Sequence, residues 1–174
     1  MRELADAERI RRFMRALGSE AEVDGAAYFT GGATAVLVGW RATTIDVDVK
    51  LVPETDRLLR AIARIKDDLQ VNVELASPAD FIPIPAGWED RSPFVARADR
   101  LSFYHFDPYA QALAKLERAH ARDLADVEAL LAAGLVDPAR ALGYFEQIEP
   151  ELYRFPAIDS ASFRPRVEDA FRPR

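Results

Sequence analysis

At 174 residues the chain has the length of one domain with a small appendage. Its 49% hydrophobic and 30% charged residues make an ordinary globular mix with enough apolar matter for a sizeable core. The formal net charge of −6 supplies no overall basic field for nucleic acid or a membrane surface, although a local basic patch is compatible with it. Cysteine is absent, which excludes disulfides, thiol chemistry and thiolate zinc sites, and two histidines, His105 and His120, are too few for an all-histidine site. The opening MRELADAERIRRFMRALG mixes acids with bases and has no long apolar run, so it reads as neither a signal peptide nor a membrane span. The expectation is a soluble, cytoplasmic protein.

Leu4, Ile10, Phe13, Met14 and Leu17 recur at helical spacing, and Gly18 can end that helix. After the turn-like GSEAEVDG, Ala26–Phe29 reads as a short buried strand. Gly31 and Gly32 break it, Ala33–Val38 reads as a two-turn helix, and Gly39 can stop it. TIDVDVKL then alternates strictly, with Ile45, Val47 and Val49 on one face and Asp46, Asp48 and Lys50 on the other. Pro53 to Leu69 is an amphipathic helix, with Leu58, Leu59, Ile62, Ile65 and Leu69 as its apolar stripe. VNVEL is a second alternating strand, placing Asn72 and Glu74 opposite Val71, Val73 and Leu75.

Ser77, Pro78 and Asp80 look like the start of a helix, and 83–93 like a long surface loop. Phe94 to Phe106 suggests a hairpin turning near Ala98–Asp99. The longest helix is expected from the Asp107 cap and Pro108 to Gly134, with Leu113, Leu116, His120, Leu124, Val127 and Leu131 down one side. A second Asp-Pro, Asp137–Pro138, starts another helix that runs to about Ile148. The Arg- and Pro-rich tail after Pro150 has no predicted element and is expected to wrap the surface or move. The fold class is α/β of the α+β type: a core over 1–106, and a C-terminal helical extension over 107–174 packed on it.

Residues i and i+2 of a strand point the same way, roughly 6.5–7 Å apart. Asp46 and Asp48 therefore project together, and two such carboxylates suit divalent ions that take hard oxygen ligands. Glu74 adds a third acid if its strand is a neighbour. The competing reading is a half-exposed sheet that shows acids to water. Aspartate is a poor strand former, however, and two in mid-strand need a reason. The glycine pair admits close approach of a ligand to the backbone, with free N–H groups of the following helix and the Thr30 and Thr34 hydroxyls nearby as a phosphate seat. Its alternative is a plain strand-to-helix turn. Neither a P-loop lysine nor dinucleotide-fingerprint spacing is present.

Taken together, the strand, Gly31-Gly32, a thirteen-residue spacer from Ala33 to Ile45, Asp46-Val-Asp48-Val and a later apolar-Glu74-apolar strand resemble the DNA polymerase beta-like nucleotidyltransferase superfamily. The likeness covers roughly residues 26–76. The longer stretches YFTGGATAVLVGWRATTIDVDVKL, SPADFIP and DPYAQALAKLERAHARDLADVEALLAAGLVD resemble small prokaryotic nucleotidyltransferases related to AbiEii-like toxins, which carry a Lys-x-x-Arg then Asp-x-x-Asp helix, here Lys115, Arg118, Asp123 and Asp126. Glu74 stands where many relatives have Asp.

The resemblance implies a small mixed nucleotidyltransferase-fold sheet flanked by helices. It implies that Asp46, Asp48 and Glu74 are catalytic and bind metal as two Mg²⁺ ions, with Mn²⁺ as a substitute. Gly31, Gly32 and Thr34 would seat the phosphates of an NTP, and Glu74 would deprotonate or orient the acceptor hydroxyl. Arg41, Thr44 and Arg118 are further nucleotide contacts, and Lys115 is a catalytic candidate through the resemblance alone. By spacing, Lys115, Arg118 and Arg122 read as a basic stripe on the solvent side of the long helix, or as a solvated face with an Arg122–Asp126 pair. Arg41 equally suits a surface ion pair. Trp40 and Trp88 are candidates for stacking a base, with burial the default for Trp40.

The implied activity is transfer of a nucleoside monophosphate to an RNA hydroxyl (tRNA in particular) or a protein hydroxyl. A toxin–antitoxin pair, with an antitoxin partner, is one setting. A non-catalytic nucleotide- or partner-binding descendant is the alternative. Phosphate-ester hydrolysis is a third reading, disfavoured by the glycine pair and by the lack of a third close acid in the first motif.

Overall fold

Alternating β-branched and polar residues pair into one mixed sheet. The computed structural model describes residues 2–173. Strands β1 (Gly25–Thr30), β2 (Asp46–Val52), β3 (Asn72–Leu75), β4 (Phe94–Ala98) and β5 (Leu101–His105) lie in the order β3-β2-β1-β5-β4. β1 runs antiparallel to β2 and parallel to β5, β2 is parallel to β3, and β4–β5 is the expected hairpin.

Along each strand one face is apolar. Phe29, Val47, Val49, Val73 and Phe103 turn towards three helices, α1 (Ala7–Gly18), α2 (Gly32–Val38) and α3 (Asp56–Asp68). These helices contribute Ile10, Phe13 and Leu17, then Ala33 and Val36, then Leu58, Ile62 and Ile65 to the same core. Phe29 stacks on Phe103 with ring centroids 5.6 Å apart, and Phe13 lies 6.3 Å from Phe29. Asp6 caps α1 by accepting the Arg9 N–H at 2.8 Å, and Thr55 caps α3. By alternation the opposite face carries Tyr28, Thr30, Asp46, Asp48, Lys50, Asn72, Glu74 and Tyr104.

Compactness divides the chain into two units. One comprises the residues up to Ser77 together with Ser92–Phe106; the other comprises Pro78–Arg91 and the residues from Asp107 on. The second unit is helical: α4 (Pro108–Arg118), α5 (Ala121–Ala132), α6 (Pro138–Ile148) and α7 (Ser160–Ala170). The segment 78–91, placed with the core by the sequence pattern, clusters with these helices. Its Arg91 donates through Nε and Nη2 to Asp107 Oδ2 at 2.9 and 2.8 Å, and through Nη1 to the Ala86 carbonyl at 2.7 Å. Asp107 also caps α4 by accepting the Tyr109 N–H at 3.0 Å. Burial pushes its carboxyl up from the ordinary value while Arg91 opposes that shift.

Several expectations need correction. Ile45 precedes β2 and is exposed rather than part of the core face, and Leu4 lies outside α1 and is exposed. The main chain of Ala5 pairs with Thr44 in an isolated antiparallel bridge, which holds both neighbours at the surface. The start at Ser77 yields one 3-10 turn, Pro78–Asp80, rather than an α-helix.

The long helix is broken. Ala119 adopts a left-handed conformation at φ 56°, α4 ends before it, and α5 restarts after His120, so His120 and Leu124 are exposed instead of packed. The tail is not structureless. A 3-10 segment, Glu149–Arg154, leads to α7, which carries Pro165 inside it and buries Phe163 and Val167, with Phe171 buried just beyond.

Candidate functional site

The sheet register determines which residues can act together. Asp48 stands between Thr30 of β1 and Glu74 of β3, and Asp46 stands beside Asn72. Asp46, Asp48, Asn72 and Glu74 thus form a two-by-two block on the sheet face away from α1–α3. Asp46 and Asp48 are half-buried and Glu74 is exposed. Asn72 donates from Nδ2 to Asp46 Oδ1, and its own Oδ1 accepts from Arg2 Nη1 at 3.0 Å. The Asn72 amide therefore orients the first aspartate, a role that the sequence reading missed. The available signal was the alternation of VNVEL, which puts Asn72 on the same face as Glu74.

The glycine pair meets this block directly. Gly31 has φ 60° and ψ −126°, a conformation that L side chains rarely adopt, and a Cβ built there would lie 3.1 Å from Asp48 Oδ2. A Cβ on Gly32 would lie 2.0 Å from Thr44 Oγ1, inside any permitted contact. Gly32 is thus required by close approach to the segment that leads into β2, and Gly31 by its backbone conformation, with a Cβ tight against the carboxylate. Thr44 is buried, donates from Oγ1 to the Asp46 carbonyl at 3.0 Å, and braces the turn rather than facing a ligand.

Thr34 also departs from the expected phosphate seat. It is 1% exposed, its hydroxyl donates to the Phe29 carbonyl at 3.3 Å, and it lies 3.1 Å from His105 Nδ1. Helical geometry turns this side chain into the core beneath the turn. Arg41 and Trp40 are half-buried in the connection between α2 and β2, and Trp88 is half-buried in the segment 78–91. Burial lowers the His105 pKa to about 4, so its ring is neutral near pH 7.

The donor set is of the type a hard cation takes, because Mg²⁺ and Mn²⁺ prefer carboxylate oxygens. Among the described residues, however, no three His, Cys, Asp or Glu side chains are gathered closely enough to hold a metal as they stand. Glu74 shares the face and the register with Asp48 without joining such a cluster.

Lys115 and Arg118 belong to the second unit, and the expected solvent-facing stripe fails at Lys115, whereas Arg118 and Arg122 are exposed. Lys115 is buried, with Nζ 2.8 Å from Asp126 Oδ2 and 3.7 Å from Asp123 Oδ1. Arg118 Nη2 donates to Asp123 Oδ1 at 2.7 Å, and the His120 N–H reaches Asp123 Oδ2 at 3.3 Å. The Lys-x-x-Arg and Asp-x-x-Asp pairs therefore lock α4 to α5 across the left-handed break. Asp126 pairs with Lys115, not with Arg122, which is exposed.

A mixed sheet with a Gly-Gly turn set against an Asp-x-Asp strand, and helices on its other face, defines a small nucleotidyltransferase-like fold. Residues 8–140 match the family described as nucleotidyltransferase of unknown function (DUF6036), and the chain belongs to that family. Neither the curated proteins nor the solved structures gave a match. The match covers well over half of the chain and includes the whole acidic block and the glycine turn. At this level the chain is a member of a nucleotidyltransferase family, and a nucleotide is the substrate such a family implies. No helix of the described residues is long and apolar enough to cross a membrane.

Proposed function

We propose that the chain transfers a nucleoside monophosphate from an NTP to a hydroxyl of RNA, with tRNA the first candidate, or of a protein. Its site is Asp46, Asp48 and Glu74 together with the Gly31-Gly32 turn. One observation carries this reading: the position of a Gly31 Cβ lies 3.1 Å from Asp48 Oδ2, so the turn and the paired aspartates form one surface. A side chain at Gly31 would occupy the space that a phosphate needs beside the carboxylates.

Asp46 and Asp48 would hold Mg²⁺ or Mn²⁺, with triphosphate oxygens completing the coordination. The bound ions would offset charge on the triphosphate and on the attacking and leaving oxygens. Asn72 keeps the Asp46 carboxylate oriented. Glu74, the exposed acid beside Asp48, would take the proton of the acceptor hydroxyl. That oxygen forms a bond to the α-phosphorus as the bond from phosphorus to the bridging oxygen breaks, and pyrophosphate leaves. A cytoplasmic setting, as the toxin half of a pair with an antitoxin, belongs to the same proposal and rests on the resemblance of the motifs.

The test is incubation with Mg²⁺, each α-labelled NTP, and total tRNA or a protein extract, reading label on the acceptor and pyrophosphate release. Asp46→Asn/Asp48→Asn is the control, because amides keep the shape while removing the charge. Transfer that survives this double substitution refutes the site. Nucleotide binding without transfer to any acceptor would favour the non-catalytic alternative.

A further inference from the structure

On the helix side of the sheet, away from the acidic block, α1, α2 and the β4–β5 hairpin border a half-open cleft of about 540 Å³. This lies within the usual range for small-molecule sites, roughly 300–1,000 Å³. Its apolar lining comes from Met14, Leu37 and Val95, with Ala96 and Ala98 beside them, and His105 also lines it. Its charged lining is Arg11, Arg15 and Arg97, and no carboxylate lines it. Three cations without a lining acid stand out in a chain of net charge −6.

Arg11 and Arg15 are available. Arg11 has no ion-pair partner among the described residues. Arg97 is turned away, standing opposite Ser102 in the hairpin register, pairing with Asp24 at 3.5 Å and donating from Nε to the Asp99 carbonyl at 2.9 Å. Arg15 pairs with Glu8 at 3.1 Å, both side chains being more than half exposed. Exposed pairs of this kind are worth about 0–1 kcal/mol and yield readily to a better-placed anion. Guanidinium forks bind carboxylate and phosphate in two-point fashion. His105 is buried and closes the inner end of the lining.

We propose that this cleft is a second ligand site for a small amphipathic anion, its carboxylate or phosphate head held by Arg11 and Arg15 and its apolar body lying on Met14, Leu37 and Val95. A polynucleotide backbone fits less well, because it needs an extended track rather than a concave apolar lining. The site is independent of the nucleotidyl-transfer reading. Its one link towards the glycine turn is His105, which is hydrogen-bonded to the buried Thr34 of α2.

The full chain is titrated with 8-anilinonaphthalene-1-sulfonate, and the bound dye is displaced with octanoate, octyl phosphate, octanol and inorganic phosphate. The expected result is one saturable site from which octanoate or octyl phosphate displaces the dye at a concentration lower by about tenfold or more than either half-ligand requires. The preferred anion identifies the head group. Arg11→Glu should weaken binding about tenfold, while Arg12→Glu, on the same helix but not lining the cleft, should not. Val95→Trp should block binding with the thermal melt retained; if it fails to fold, the Arg11 and Arg12 comparison decides. The proposal is overturned by the absence of a saturable, displaceable site or by equal effects at Arg11 and Arg12. Displacement by inorganic phosphate alone, or by RNA, as effective as that by octyl phosphate overturns it too.

Discussion

Lys115 is the residue on which motif resemblance and geometry make different demands, so its replacement is informative. Lys115→Met keeps most of the stem and removes the ammonium that lies 2.8 Å from Asp126 Oδ2, where both side chains are less than a tenth exposed. Removing one partner of a buried pair costs about 3–5 kcal/mol, because the remaining charge keeps its desolvation penalty. For a chain of this size each kcal/mol lowers Tm by about 2–4 °C, so the loss should be roughly 6–20 °C. Lys115→Met/Asp126→Leu removes both charges and should recover about half of that loss or more, since an apolar pair of similar volume is nearly neutral. Arg118→Met loses an ion pair from a half-exposed guanidinium and should cost under about 1 kcal/mol. Urea denaturation of the three variants measures these differences, with transfer assayed alongside. A cost below about 1 kcal/mol for Lys115→Met would refute the interlock. Restored stability with lost transfer in the double variant would show that the Lys115–Asp126 pair acts in chemistry as well as in packing.

Gly32→Ala should cost about 1–3 kcal/mol in urea titration, because the new Cβ would sit 2.0 Å from Thr44 Oγ1, whereas Gly143→Ala inside α6 meets nothing within 4 Å and should stabilise by about 0.4–1 kcal/mol. Ala119→Gly relieves a left-handed residue at φ 56° and should raise stability by up to about 1 kcal/mol on the thermal melt. His105, lowered to about 4 by burial, is neutral when folded and takes up a proton on unfolding below about pH 6.5. Its contribution is therefore fully present above pH 6.5 and falls as pH drops towards 4, by about 3 kcal/mol in all. Wild type should lose stability from pH 7 to pH 4.5 more steeply than His105→Gln, and parallel slopes would refute this.

Much of the sheet was legible because a period of two leaves few choices. IDVDV and VNVEL must split their faces, and the Asp48–Glu74 neighbourhood followed once β2 and β3 paired. The errors lie where tertiary contacts override local pattern. Leu116, His120 and Leu124 keep helical spacing through a point where the chain turns left-handed with neither glycine nor proline to mark it. The break is held by charges meeting across it, Lys115 with Asp126 and Arg118 with Asp123, and no periodicity argument detects such pairs. Pro165 hid α7 in the same way: its ring argues against a helix, while Phe163, Val167 and Phe171 supply the buried face that stabilises one.

Within the candidate site, residue type was easier to read than direction. Threonines beside a glycine turn suggest phosphate contacts, yet Thr34 points into the core towards His105, and Thr44 fills the space that Gly32 leaves open. The glycine pair therefore has a structural cause and a functional opening at the same turn, and the two separate by residue. Gly32 is required by Thr44 whatever the protein does, so its presence says little about nucleotide. Gly31 is different: its missing side chain would project towards the Asp48 carboxylate, on the face where Asp46 and Glu74 stand. Gly31, not the pair as a whole, links the turn to the acids, and Gly31→Ala is the substitution that should impair nucleotide binding beyond its cost in stability.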